Sequence, residues 1–151
     1  MAQTRGRVTR VASPFVRVAV LDSGPILAAL NRRDDGHELC KEFFAGFQGR
    51  LLLPTTVLAE VCVNLEDRPD IEASFLASVN RGAFRRACVE DGDIARMREL
   101  VLKYADFPLG GIDASVIAVA ERLHITDVAT LDHRHFRAVQ PRHVGAFTLL
   151  P

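Results

Sequence analysis

The stretch "GGIDASVIAVAERLHITDVATLDHRHF", residues 110–136, decides how the chain folds. Behind its two glycines, Asp113 opens an almost wholly apolar segment, and Asp132 closes the short β-branched run "DVATLD". The first part has the length and composition of a buried helix, predicted over 111–124. The second reads as a buried strand over 127–131. A helix delivering the chain into such a strand is the repeating step of a parallel sheet. Nothing in that step requires a carboxylate at either end, so Asp113 and Asp132 are caps or they are chemistry.

Working towards the N-terminus, the same alternation recurs. "FVRVAVLD" (15–22) is a strand ending at Asp22, and "SGPILAALN" (23–31) a helix that Ser23 can cap, with Pro25 tolerated in its first turn. Residues 36–47 carry Leu39, Cys40, Phe43, Phe44 and Phe47 at helical spacing; "RLLLP" (50–54) is a strand. "TTVLAEVCVNLE" (55–66) is a helix capped by Thr55 or Thr56, and 70–80 is another. "FRRACV" (84–89) is a strand, 91–105 a helix with Ile94, Met97, Leu100 and Val101 on one face, and "GAFTLL" (145–150) a last strand. The expectation is an α/β fold, a three-layer α/β/α sandwich around a mostly parallel sheet of four or five strands. Residues 1–14, basic and without apolar periodicity, are predicted to be a flexible extension, leaving 15–151 as a single domain.

Composition narrows the function classes. At 151 residues and 48% hydrophobic, the chain can bury a core without staples. Cys40, Cys62 and Cys88 stand singly, in neither a CxxC pair nor a zinc-like cluster, and are expected to be reduced core thiols. No apolar run approaches the roughly 20 residues that span a membrane. Pro14, Arg17 and Asp22 interrupt what would be a signal-peptide core, so a cytoplasmic location is expected. Formal net charge is zero and argues neither for nor against nucleic acid, but Arg5, Arg7, Arg10 and Arg17 make the first twenty residues basic and leave the remainder mildly acidic.

In an open parallel sheet, ligands collect beyond the carboxyl ends of the strands. Asp22 and Asp132 fall at two such ends, and Asp113 in a helix first turn, where the macrodipole favours an anion. Glu60 is the fourth candidate. Val57, Leu58, Val61, Cys62 and Leu65 form a wide apolar stripe around it, and between Thr56 and Leu65 only Glu60 and Asn64 are polar. Each acid alone has a bland reading as a cap or a solvated side chain; together they suggest a site. Converging carboxylates raise one another's pKa values unless a cation neutralises them. Oxygen ligands suit Mg²⁺ or Mn²⁺, hard ions that keep waters and bind phosphates.

The blocks "VAVLDSGPILAAL", "LLLPTTVLAEV", "YADFPLGGIDASVIAVAERL" and "VATLDHRHF", in that order, resemble the PIN-domain ribonucleases, and most of all the VapC-type toxins of toxin–antitoxin pairs. The resemblance covers about residues 16–150. It implies an endoribonuclease with Mg²⁺ or Mn²⁺ as cofactor, cutting single-stranded or loop RNA such as tRNA or rRNA, and restrained by a VapB-like antitoxin. It further implies that Asp22, Glu60, Asp113 and Asp132 are the acidic set, with Asp132 orienting a metal-bound water more than ligating. Thr130 and Ser23 would be supporting residues. One departure stands out: Gly24 occupies a place where the family has a second small polar residue, which removes a hydroxyl contact there.

Other residues have weaker claims. Asp106 reads as a turn residue, and His133 and His135 as surface groups or RNA contacts. Arg81, Arg85, Arg86, Arg134, Arg137 and Arg142 are solvated or touch phosphates. With no Trp and the single Tyr104, RNA recognition is expected to rest on shape and backbone. Phe43, Phe44, Phe47, Phe75 and Leu76 exceed what a small sheet can readily cover, which suggests a homodimer interface and an antitoxin groove. The competing functions are a PIN nuclease of RNA processing without an antitoxin, and a non-catalytic α/β interaction module. A phosphoacceptor Asp22 is disfavoured by its place on the first strand, and a dehalogenase-type phosphatase by Gly24, where a second Asp is needed.

Overall fold

The structure is a computed structural model that describes residues 15–151; the basic extension expected over 1–14 lies outside the described residues. Among the described residues, five strands form one sheet: β1 (Val18–Leu21), β2 (Arg50–Pro54), β3 (Arg85–Ala87), β4 (Asp127–Ala129) and β5 (Thr148–Leu150). Their spatial order is β3-β2-β1-β4-β5, and every neighbouring pair is parallel. β1, β2 and β4 are almost fully buried, as strands covered on both faces must be. The chain steps outward from β1 to β3, then crosses back to β4 and β5. Right-handed crossovers therefore place helices on both faces, giving the three-layer sandwich.

The helices are α1 (Ser23–Leu30), α2 (His37–Gly46), α3 (Thr55–Leu65), α4 (Pro69–Asn80), α5 (Asp91–Lys103), α6 (Gly111–Arg122) and the short α7 (His133–Ala138). α6 is the most enclosed: every residue from Ala114 to Glu121 is buried. A helix apolar on all sides has no stable place except inside, and its contacts with β1, β2, α3 and α5 hold it there. Among the described residues no helix is long and apolar enough to cross a membrane.

Several local expectations change. Asp22, not Ser23, is the cap of α1: its carboxylate accepts a 2.8 Å bond from the Ser23 amide. Neither Thr55 nor Thr56 caps α3, whose N-cap is Pro54; the Thr56 hydroxyl instead lies 2.6 Å from that of Ser115 and ties α3 to α6. The phenylalanines expected to be surplus are covered to different degrees within the chain. Phe75 is buried, and Phe43, Phe44, Phe47 and Phe84 pack against the core and one another at centroid separations of 5.3–5.9 Å. Of that group only Leu76 is exposed. All three cysteines are free, but Cys88 is exposed and so is no core thiol, whereas burial pushes the Cys40 and Cys62 thiols up.

The apolar face expected on α5 is only partly buried. Leu100 is buried, yet Ile94 and Val101 face solvent. The side of α5 that meets α6 carries Asp93 and Arg96. Arg96 grips Glu121 through two bonds of 2.7 and 3.0 Å, and Arg122 returns the contact with its Nε–H, shared at 3.0 Å between both Asp93 carboxylate oxygens. Such planar pairs survive burial because each charge is matched and hydrogen-bonded. Glu121 also accepts the Arg142 amide at 3.0 Å. Glu121→Gln leaves the Arg96 guanidinium, whose side chain is 12% exposed, with Glu99 as its one remaining carboxylate, and is expected to cost about 2 kcal/mol. Urea unfolding checks this: a loss below about 0.5 kcal/mol, the range of ordinary surface substitutions, contradicts it.

Candidate active site

The β1–β4 pairing builds the site. Its register sets Leu21 beside Ala129, and the Asp22 amide continues the ladder with a 2.9 Å bond to the Ala129 carbonyl. The strand order reverses between these two strands, so the crevice at their carboxyl ends is where an open α/β sheet accepts ligands. Thr130, fully buried, donates its hydroxyl to the Asp22 carboxylate at 2.7 Å across 108 residues of sequence. The same hydroxyl accepts the Asp132 amide at 3.0 Å. One threonine thus fixes both the first acid and the backbone of the last.

Asp132 starts α7, and its cap role is real: the carboxylate accepts the His135 amide at 3.1 Å and a closer bond from His135 Nδ1. Capping and membership of the acid cluster coexist. Asp113 sits in the first turn of α6, whose N-terminus points to the same strand ends. Ligand atoms of Asp113, Asp132 and His135 all lie within 4.8 Å of one another. Glu60, part-buried on α3, is near enough for its charge to act on Asp22. The four acids expected from the sequence therefore share one neighbourhood, with Asp113 and Asp132 the tightest pair. Ser23 contributes its backbone amide to the Asp22 carboxylate.

His135 is the residue that sequence reasoning undervalued, although its position three residues after Asp132, at capping distance along a helix, was available as a signal. Its ring is committed through Nδ1 to the Asp132 carboxylate.

The electrostatics follow from burial and like charge. Burial pushes the Asp22 carboxyl up; Thr130 and the Ser23 amide pull it down, while Glu60 and Asp132 add to the rise. Asp113 is pushed from its ordinary 3.8 to about 6, first by burial and then by the charges of Asp22 and Asp132. Asp132 is also desolvated, but its bonds to His135 outweigh that and hold it low. The cluster thus contains one carboxyl that is half-protonated near pH 6, a second, Asp22, that burial also pushes up, and a third, Asp132, that stays ionised. A divalent cation fits this donor set, since clustered carboxylate oxygens supply what it needs and it removes their repulsion. Asp22, Glu60, Asp113 and Asp132 are the carboxylates that could hold one.

An acid whose folded-state pKa is raised favours the folded state below its unfolded value, and that contribution disappears as pH rises through about 6. Asp22 acts in the same direction, Asp132 in the opposite one. In chelator, Asp113→Asn is expected to be more stable than the native chain at pH 7.5, by about 1 kcal/mol once partial exposure is allowed for. The gap should close towards pH 4, and Mn²⁺ should raise the Tm of the native chain alone. A gap independent of pH contradicts the proposed origin.

The sequence profile of the PIN domain matches residues 19–140. Ribonuclease VapC26 of Mycobacterium tuberculosis is 28% identical over 134 residues, covering 87% of this chain and 99% of the relative. Among solved structures, VapC20 of Mycobacterium tuberculosis, described as a sarcin–ricin loop cleaving toxin, superposes with a TM-score of 0.66 at 18% identity, over 74% of this chain and 86% of that one. A toxin–antitoxin complex from Klebsiella pneumoniae superposes with a TM-score of 0.65 at 16% identity, over 80% and 92%. At these identities the two structures speak for the fold, and the profile speaks for the family: with its parallel five-stranded sheet and an acid cluster at the β1–β4 switch point, this chain belongs to the PIN domain family.

Proposed function

We propose that the chain is a metal-dependent endoribonuclease and the toxin half of a toxin–antitoxin pair, its nuclease unit spanning 15–151. The observation that carries this reading is the convergence of Asp22, Glu60, Asp113 and Asp132, from four separate elements, on one strand-end crevice. A fold that gathers mutually repelling carboxylates has a use for the cation that relieves them. The relative's name, a ribonuclease, and the toxins among the similar folds supply the substrate class and the biological setting.

In this reading Asp22, Asp113 and Glu60 hold Mg²⁺ or Mn²⁺, and Asp132 orients water and substrate. A bound divalent ion supplies a water of lowered pKa and charge relief for a phosphodiester. The chain's own residues do the rest. Thr130 keeps the Asp22 carboxylate aimed while accepting the Asp132 amide, so the two acids cannot shift independently. His135 occupies the Asp132 carboxylate from two directions and fixes which way it faces. The α6 N-terminus places partial positive charge behind Asp113, where the phosphate's negative charge must also be accommodated. The partner is an antitoxin whose segment covers the crevice, an arginine taking the cation's place against Asp22, Glu60 and Asp113. A homodimer and a cytoplasmic location complete the reading.

Asp22→Asn, Asp113→Asn and Glu60→Gln are each expected to lower RNA cleavage with Mg²⁺ or Mn²⁺ by about a hundredfold or more, beyond what loss of an outer partner costs. Asp132→Asn should weaken metal binding less than Asp22→Asn. Full cleavage by Asp113→Asn would refute the site. Co-expression with whatever small gene lies beside it, followed by light scattering, tests the partner: a strict monomer that co-purifies with nothing contradicts the toxin reading and leaves the RNA-processing nuclease.

A further inference from the structure

Outside the acid cluster, the loop joining α5 to α6 carries an aromatic ring. Phe107, part-buried in that loop, has the Arg134 guanidinium 5.0 Å from its ring centroid. The His135 ring meets it edge-on, centroids 4.8 Å apart. His135 is in turn bonded to Asp132 and within ligand range of Asp113. An aromatic ring paired with an exposed guanidinium thus stands one imidazole away from the acids, and the Arg134 charge is felt by Asp132. The loop then runs through Gly110 and Gly111 directly into the turn that carries Asp113.

We propose that the Phe107–Arg134 pair is the stacking platform for an unpaired base next to the phosphate that is cut; this rests on the endoribonuclease reading. Splayed RNA bases stack on aromatic faces and on guanidinium planes, and the stack tolerates sequence because every base has a π-face. Arg134, exposed and charged, can bond the adjoining phosphate while its plane shares the stack. This adds a stacking contact to the expected recognition by shape and backbone, which counted Trp and Tyr but not a phenylalanine placed by the fold. The platform works through KM, since it binds the nucleotide without touching the reacting atoms. The duller role for the same contacts is to fasten the loop to α7, and it predicts different behaviour.

The test uses the full chain with Mn²⁺. Total tRNA and rRNA are digested, and an oligoribonucleotide copied from the cut site is then made in versions with one abasic position at a time. Phe107→Leu, which keeps the apolar anchor but removes the π-face, is expected to raise KM on the intact oligonucleotide about tenfold, with kcat within about twofold and Mn²⁺ affinity unchanged. Phe107→Tyr should stay near the native KM. At one abasic position beside the cut, native chain and Phe107→Leu should become equal. An unchanged KM for Phe107→Leu, or an equal loss on every abasic version, overturns the platform while the nuclease reading stands. A native chain that cuts no RNA overturns the nuclease reading and the platform with it.

Discussion

The structure depends on a conflict that its fold must contain: carboxylates brought together in a poorly solvated crevice. The bond from Thr130 to Asp22 is where that conflict is managed. It crosses the β1–β4 pairing, and that pairing exists only because the chain, after building outward to β3, returns to the opposite side of its first strand. Shift β4 by one residue against β1 and Thr130 turns to the other face of the sheet, leaving Asp22 buried with fewer partners. Register, switch point and acid geometry are thus one constraint.

Around it the energetics divide into two kinds. The enclosing helices are held by apolar burial, most completely in α6, and by reciprocal arginine–carboxylate grips between α5 and α6. These clamp the helix whose first turn bears Asp113 at the far end from its ion pairs. The site itself is the strained end: its like charges oppose folding, and burial magnifies the opposition. Stability is supplied away from the crevice so that the crevice can be kept costly without a cation, as expected where function and packing make opposite demands.

Much of this was legible in the sequence. Alternating strands and helices gave the α/β class because burial on both faces leaves continuous apolar runs, and Asp22, Glu60, Asp113 and Asp132 stood out because polar residues are conspicuous against such runs. What stayed hidden was whatever depends on partners distant in sequence. Asp93, Arg96 and Glu121 look like solvated surface charges until α5 meets α6, and the apolar residues Ile94 and Val101 look like the buried face for the same reason. His135 read as a surface histidine because its use depends on the turn that Asp132 caps. The phenylalanines of α2 and α4 look surplus in the sequence, because Phe84, on the approach to β3, meets them only in the folded chain.

The central claim is that the acid cluster is a divalent-cation site, and calorimetric titration of the native chain with Mn²⁺ tests it most directly. At pH 6, in buffers of different ionisation enthalpy, binding should release a fraction of a proton, because the cation displaces the one that Asp113 holds with a pKa of about 6. Proton release should fall away by pH 8 as that carboxyl ionises unaided, and binding should be lost in Asp113→Asn. Mn²⁺ binding that is absent, or that proceeds in Asp113→Asn with the same affinity and the same proton release, would contradict the account.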